Sequence, residues 1–248
     1  MGNRVAVVLA AGKGTRMKSD LPKVLFPACG RPLIDYVIDA LEAAQVDRIV
    51  VVVGYRADDV KQALATRRGV EFALQAEQLG TGHAVQVCQP NLAAHAGPTL
   101  IVTGDSPMLR PKTVARLFED YEKTKPACLL GTLHRSDPQG LGRIVRDAAG
   151  NFTGIVEEKD ASEEQRKITE VNMSTYIFHT PDLLTSLGQL RNANNQREYY
   201  LTDCPGILRK AGREVRALPI LEPCEALSVN RPEELAAVEA EMRKLGMS

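Results

Sequence analysis

Apolar runs and polar breaks alternate through the first hundred positions of this 248-residue chain. Val5 to Leu9 is a continuous apolar run of strand length, and Arg48 to Val53 is a β-branched one. Val70 to Leu74 and Thr99 to Val102 give two more predicted strands. Between them the period changes. Leu33, Val37, Ile38 and Leu41 recur at helical spacing within 33–44, and helices are expected over 57–65 and about 82–89. Strands and helices alternating on short loops predict an α/β fold. The sheet should be Rossmann-like, mixed but mostly parallel, with helices on both faces.

The second half is less regular. Residues 143–145 and 152–156 flank a Gly/Asn-bearing turn and predict a β-hairpin. A short polar helix is expected over 161–167, a strand over 170–178, and a helix over 181–190 with Pro181 at its start. A helix over 199–210 has Pro205 within it, where a new turn can begin. A strand over 215–221 and a helix over 232–245 close the chain, with Asn230 the expected N-cap. No repeat or low-complexity linker divides the sequence. The expected organisation is one domain, 1–248, of two lobes around a cleft: about 1–108, a smaller β-rich lobe over about 109–230, and a C-terminal helix over 231–248.

Composition narrows the function. Formal net charge is zero, which offers neither nucleic acid nor a membrane surface an electrostatic partner. The chain has no Trp and 4% aromatics, too few for base-stacking platforms. Its five cysteines are an odd, scattered set without a C-x-x-C pair, as for free thiols in a reducing cytoplasm. No apolar run has bilayer-spanning length. No motif bears on oligomeric state.

Three glycine-bearing loops carry the candidate chemistry. The first, Leu9 to Met17, reads LAAGKGTRM and is followed by Pro22-Lys23. A buried strand feeding a loop with Gly12, Gly14, Lys13 and Arg16 is a device for holding phosphates: glycines admit backbone N–H groups to the anion, and the cations neutralise it. The spacing is neither a dinucleotide fingerprint, since Met17 stands at the third glycine position, nor a P-loop. The second block, Leu74 to Ala84, offers the amide of Gln75 and the loop Gly80-Thr81-Gly82 at the end of another strand. In open α/β sheets ligands gather beyond the carboxyl ends of strands, so both loops should face one crevice. The third, Thr103-Gly104-Asp105, puts a carboxylate at a strand end beside them, suited to Mg2+, which takes one or two protein oxygens and completes its shell with water and phosphate. In the second lobe Gly140, Glu157 and Asn172 could bind sugar hydroxyl and amide groups, though a turn glycine, a solvated Glu and a strand-end Asn are ordinary structural features.

Taken together, LAAGKGTRM, LQAEQLGTGHA, DPQGLGRI, GIVEEKDAS, REYYLTD and SVNRPEEL resemble the sugar nucleotidyltransferases of nucleotide-diphospho-sugar transferase type. The branch is the N-terminal domain of bacterial N-acetylglucosamine-1-phosphate uridyltransferases, and the likeness runs over almost the whole chain. The resemblance implies a cytoplasmic, Mg2+-dependent uridylyltransferase taking UTP and N-acetylglucosamine-1-phosphate to UDP-N-acetylglucosamine, a cell-wall peptidoglycan precursor, and pyrophosphate. It implies that Leu9, Ala10, Ala11, Gly12, Gly14, Thr15 and Lys23 bind the nucleotide, with Arg16 beside the departing pyrophosphate and Arg16 and Lys23 catalytic. Gln75, Gly80 and Thr81 would read uracil; Thr103 and Gly104 would lie by the nucleotide sugar. Gly140, Glu157 and Asn172 would bind the sugar, and Asp105 and Asn230 would hold Mg2+. The lobes become nucleotide and sugar lobes.

Two positions depart from the pattern. Some members have Tyr where this chain has Thr103, and many have Asn-Thr-Gly or Asn-Ser-Gly where it has Asn172-Met173-Ser174. Both flank the sugar site, so another hexose-1-phosphate or nucleotide remains an alternative, as does a non-catalytic sugar-nucleotide sensor. With the last residue at Ser248, the left-handed β-helix that carries acetyl transfer in bifunctional members is not expected. A sugar-phosphate nucleophile is already ionised and needs no general base, so none of His83, His95, His134 and His179 is expected to act. Gln75 could turn its amide to suit either pyrimidine, leaving backbone groups near Ala10 and Gly80 to discriminate.

Overall fold

The computed structural model describes residues 4–247. In chain order its elements are β1 (Val5–Leu9), β2 (Pro27–Ala28), β3 (Arg31–Pro32), α1 (Leu33–Ala43), β4 (Arg48–Val53), α2 (Ala57–Ala63), β5 (Val70–Leu74), α3 (Thr81–Gln86) and α4 (Gln89–Leu92). There follow β6 (Pro98–Thr103), α5 (Pro111–Thr124), β7 (Cys128–His134), β8 (Gly142–Arg146), β9 (Phe152–Val156) and α6 (Glu163–Arg166). The last are β10 (Glu170–His179), α7 (Thr180–Leu187), α8 (Asp203–Lys210), β11 (Val215–Leu218) and α9 (Pro232–Lys244).

Nine strands form one sheet in the order β11-β7-β10-β6-β1-β4-β5, with the β8–β9 hairpin attached through β10. β6, β1, β4 and β5 are parallel, as are β7 and β11, and β10 alone on that path runs antiparallel to both neighbours. The mixed, mostly parallel α/β sheet expected from the sequence is therefore present. β1 shows why its strands read as unbroken apolar runs. Val5 and Val7 point into one core, shared with α3, α7 and α8, while Ala6 and Val8 point into the other, shared with α1, α2 and α5. Helices cover both faces, so neither side of the strand can be polar.

Several boundaries differ from the sequence reading. The helix expected over 82–89 is two pieces, α3 and α4. The helix expected from 199 starts at Asp203, leaving 199–202 as a connecting segment. β11 ends at Leu218, not 221. The short β2–β3 pair was not anticipated, nor were two longer elements: the 14-residue α5 and the seven-residue β7, an inner strand of the sheet.

A third, smaller core fixes the route to the site. Met17, Ala28, Leu33, Tyr36 and Met108 pack with Val229, Val238 and Met242. This ties α9 and its approach to the glycine loop after β1, more than two hundred positions earlier in the chain. Asn230 is not the cap of α9. Arg231 occupies that position without a side-chain bond, and the Asn230 side chain points elsewhere. Its backbone N–H is satisfied by Glu234 at 2.6 Å, which frees the amide for the site.

Candidate functional site

The parallel strands β1, β4, β5 and β6 end their carboxyl termini along one edge, and a cleft of about 570 Å3 lies there. It is lined by Leu9, Ala10, Ala11, Gly12, Gly14, Thr15, Arg16 and Lys23 from the first loop, Gln75, Gly80 and Thr81 from the second, and Thr103 and Asp105 from the third. The two loops expected to share a crevice do so. Lys13, the other cation of the first loop, lines it too; Val24, Gln78, Ala84 and Glu198 also line it and were not anticipated.

Glycine at two positions is required by close approach and by a positive φ. Gly14 has φ of +66°, and a Cβ there would stand 2.6 Å from Cβ of Lys23. The loop thus packs directly on the lysine stem and aims its ammonium. Gly80 has φ of +110°, and a Cβ would meet the Tyr199 carbonyl oxygen at 2.6 Å. That contact belongs to a clasp in which Gly82 N–H donates to the Tyr199 oxygen at 2.7 Å and Tyr199 N–H donates to the Leu79 oxygen at 2.8 Å. The Thr81 hydroxyl accepts from Leu201 N–H at 3.0 Å, so this side chain docks the 199–202 segment.

The charged groups converge at the other end of the cleft. Lys23 Nζ pairs with Asp105 and donates to Asn230 Oδ1 at 2.6 Å. Arg16 Nη2 donates to the same Asn230 oxygen at 3.0 Å. Arg16, Lys23, Asp105 and Asn230, far apart in sequence, are thus one cluster. A carboxylate oxygen and an amide oxygen already meet on a single cationic group, the lysine ammonium. Those hard oxygen donors fit a divalent cation that keeps water and phosphate in its remaining positions. Among the described residues no group of three or more His, Cys, Asp or Glu side chains forms a self-sufficient metal cage.

Gly104 does not line the cleft. Its N–H donates to the Leu9 oxygen at 2.9 Å, and a Cβ would press on Val24 at 3.1 Å, so it lets the β1 and β6 ends lie close together. The remaining sequence-derived residues lie in the β8–β10 region. Glu157 lines a separate cavity of about 350 Å3 with Asp160, Arg191, Asn194, Tyr200, Thr202 and Asp203. Asn172 is buried beside it: a Cβ on Gly142 would lie 3.5 Å from Asn172 Cβ and 3.6 Å from Glu157 Oε2. Gly140 sits on an exposed turn at φ of +80°, and its N–H donates to Glu158 Oε2, not Glu157, at 3.1 Å. The cleft and the cavity share one wall, the 198–202 segment, with Glu198 facing the first and Tyr200 and Thr202 the second.

Electrostatics differ between the two hollows. Burial pushes the Glu157 carboxyl above its ordinary value; the Thr202 hydroxyl, donating at 3.0 Å, opposes this, and Asp160, Asp203 and Glu198 add to it by repulsion. Asp203 is raised too, by burial first and by Asp160 next. The cavity is therefore an acceptor-rich place for neutral donors such as hydroxyl and amide groups, whereas the cleft carries the cations that suit phosphates.

One sequence expectation needs correcting. The Gln75 amide does not turn freely. Its Nε2 lies 3.1 Å from the Gly80 carbonyl oxygen and 3.1 Å from His83 Nδ1. His83, given no part by the sequence reading, is therefore joined to the site. The signal was its position two residues beyond Thr81, on the first turn of α3.

The model of the MobA-like NTP transferase domain matches residues 6–199. Among curated proteins the chain is similar to the bifunctional protein GlmU of Enterococcus faecalis, 44% identical over 93% of this chain and 50% of that one. It is 47% identical to the same-named protein of Lactobacillus delbrueckii subsp. bulgaricus, over 92% and 49% of the two chains. With that of Shouchella clausii it shares 42% over 98% and 53%. The chain thus spans about half the length of the curated relatives it matches. Among solved structures, a UDP-glucose pyrophosphorylase complexed with UDP-glucose superposes with a TM-score of 0.77, covering 99% of this chain and 100% of that one. At 18% identity that likeness is one of fold.

Proposed function

We propose, for a chain that belongs to the MobA-like NTP transferase family, that it is a uridylyltransferase joining UTP to N-acetylglucosamine-1-phosphate, releasing UDP-N-acetylglucosamine and pyrophosphate. The observation that carries this is the cluster in which Lys23 and Arg16 reach Asn230 while Lys23 pairs with Asp105, at the phosphate end of a cleft whose other end is Gln75 and Gly80. A mere binder of sugar nucleotides has little use for cations gathered where a leaving group would depart. The 42–47% identity with the GlmU proteins named above supports this branch of the nucleotidyltransferases.

A sugar-phosphate oxygen attacks the α-phosphorus of UTP. The new P–O bond forms as the bond from that phosphorus to the bridging oxygen breaks, and pyrophosphate takes the electron pair. The monoester has a second pKa of about 6, so its oxygen is charged at neutral pH and no base is needed. The obstacle is repulsion between two polyanions. Loop N–H groups between Ala11 and Thr15 and the ammonium of Lys23 hold the triphosphate, and the Arg16 guanidinium faces the departing diphosphate. Mg2+, held by Asp105 and Asn230, would supply charge neutralisation and alignment of the phosphates. In the β-rich lobe Glu157 and Asn172 offer acceptors to the sugar, with Gly140 on the turn nearby. The nucleotide lobe is then about 1–108, the sugar lobe about 109–230, and the helix beyond 231 delivers Asn230. No described helix is long and apolar enough to cross a membrane, and we place the enzyme in the cytoplasm.

Pyrophosphate release from the protein with Mg2+, UTP and a panel of sugar-1-phosphates tests this. Release with N-acetylglucosamine-1-phosphate far above the other sugars supports the reading. Preference for another hexose, which the Ser174 and Thr103 departures keep open, would change the substrate. Tight binding of UDP-sugars without turnover would make it a sensor.

A further inference from the structure

The orientation of the Gln75 amide is decided by its surroundings. The Gly80 carbonyl oxygen only accepts, so the amide end facing it at 3.1 Å must be the NH2. The same Nε2 stands 3.1 Å from His83 Nδ1, which must then accept, placing the ring proton on Nε2 of the imidazole. Both amide hydrogens are used. The Gln75 side-chain oxygen, Oε1, receives no hydrogen bond from any described group (its backbone oxygen accepts from Gln78 Nε2), and Gln75 lines the cleft. The site therefore offers the base an acceptor and withholds the neighbouring donor.

We propose that His83 determines which pyrimidine the cleft accepts, by locking Gln75 with its oxygen toward the base. The inference rests on the reading that the base docks against Gln75. Uracil carries an N3–H donor between two carbonyl acceptors, whereas cytosine carries a bare N3 acceptor and an exocyclic amine. A fixed Gln75 oxygen receives the uracil proton and opposes the cytosine lone pair. The Gly80 N–H, which donates to no described group, supplies a donor for a uracil carbonyl on the same side. A side-chain amide free to rotate would serve both bases. Without His83 only the Gly80 carbonyl would restrain it, and that oxygen is already shared with Ala84 N–H at 3.0 Å.

The test compares UTP with CTP, by kcat/KM and by calorimetric Kd for each nucleotide, in wild type, His83→Leu, His83→Asn and Gln75→Ala. Loss of one neutral hydrogen bond corresponds to about tenfold. In His83→Leu the preference for UTP over CTP should fall by about that factor, partly through a gained affinity for CTP, which a merely damaged site would not show. His83→Asn, whose Oδ1 can accept in the place of Nδ1, should restore most of the preference. A His83→Leu protein that keeps the full preference, while Gln75→Ala loses it, overturns the role of His83 alone. Unchanged UTP affinity and preference in Gln75→Ala means that the base docks elsewhere, and the underlying reading falls together with this one.

Discussion

Lys23 is the residue on which most of the site depends, because its ammonium touches both Asp105 and Asn230 and its stem is packed against Gly14. Losing one preorganised donor to a developing phosphoryl charge costs on the order of 3 kcal/mol of barrier stabilisation. Lys23→Ala and Arg16→Ala should each lower turnover about a hundredfold while the fold survives; steady-state pyrophosphate release reads the first and a cooperative thermal melt the second. Glu157 gives a prediction about stability. Its raised pKa means that the folded state holds the proton more firmly than the unfolded state. Its contribution is fully present at low pH and is lost as pH rises through the folded value. Glu157→Gln should accordingly raise Tm relative to wild type at pH 8 and hardly at all at pH 4. An equal shift at both would mean that the carboxylate is not destabilised by its site. Ser174 shows what the departure from Asn-Thr-Gly costs. It sits at φ of +52° in the bulge of β10 between Asn172 and Thr175, and the left-handed region is unfavourable to a side chain by about 1–2 kcal/mol. Ser174→Gly should stabilise the protein by up to about 1 kcal/mol, after the larger unfolded-state entropy of glycine is set against it. A denaturant midpoint that does not rise would show that the bulge is unstrained.

At the scale of elements, α9 brings a distant residue to the cleft. Asn230 reaches Lys23 only because Val229, Val238 and Met242 pack against Met17, Leu33 and Tyr36. Met242 is fully buried there, and truncating a buried Met to Ala typically costs about 2–5 kcal/mol. Met242→Ala should loosen the segment before α9, seen as faster proteolysis between 227 and 231, and lower activity without touching a substrate. The elements also show where sequence patterns speak plainly. β1 and β4 lie between two helical layers and read as unbroken apolar runs, so both were legible. α5 carries Val114, Leu117, Phe118 and Tyr121 at helical spacing, but charged residues crowd its other face and no glycine loop flags it. β7 is apolar but interrupted by Gly131 and Thr132. The glycine is there because Leu221 packs at 3.1 Å from where its Cβ would be, and Thr132 because its hydroxyl donates to Glu170 at 2.6 Å. Both reasons are tertiary, and neither could be read from the strand itself.

For the whole molecule the continuous sheet matters most. It runs from β5 through β1 and β6 to β10, β7 and β11, so strands from both halves of the chain are hydrogen-bonded neighbours. Hydrogen exchange at β1 and β7 amides should therefore report one shared opening free energy; separate values would reveal lobes that unfold independently. The sequence by itself determined the alternation of strands and helices, the three loops and the chemical character of the cleft. Apolar periodicity and glycine placement are local properties, and the parallel architecture sends successive strand ends to one edge. Folding alone decided which side chains meet. It brought Asn230 onto Arg16 and Lys23 and left the cap position of α9 to Arg231, separated the Glu157 cavity from the cleft by the 198–202 wall, and pinned Gln75 between a carbonyl and an imidazole. Each of these is a contact between segments distant along the chain or aimed by packing, and pattern within a segment carries no record of direction in space.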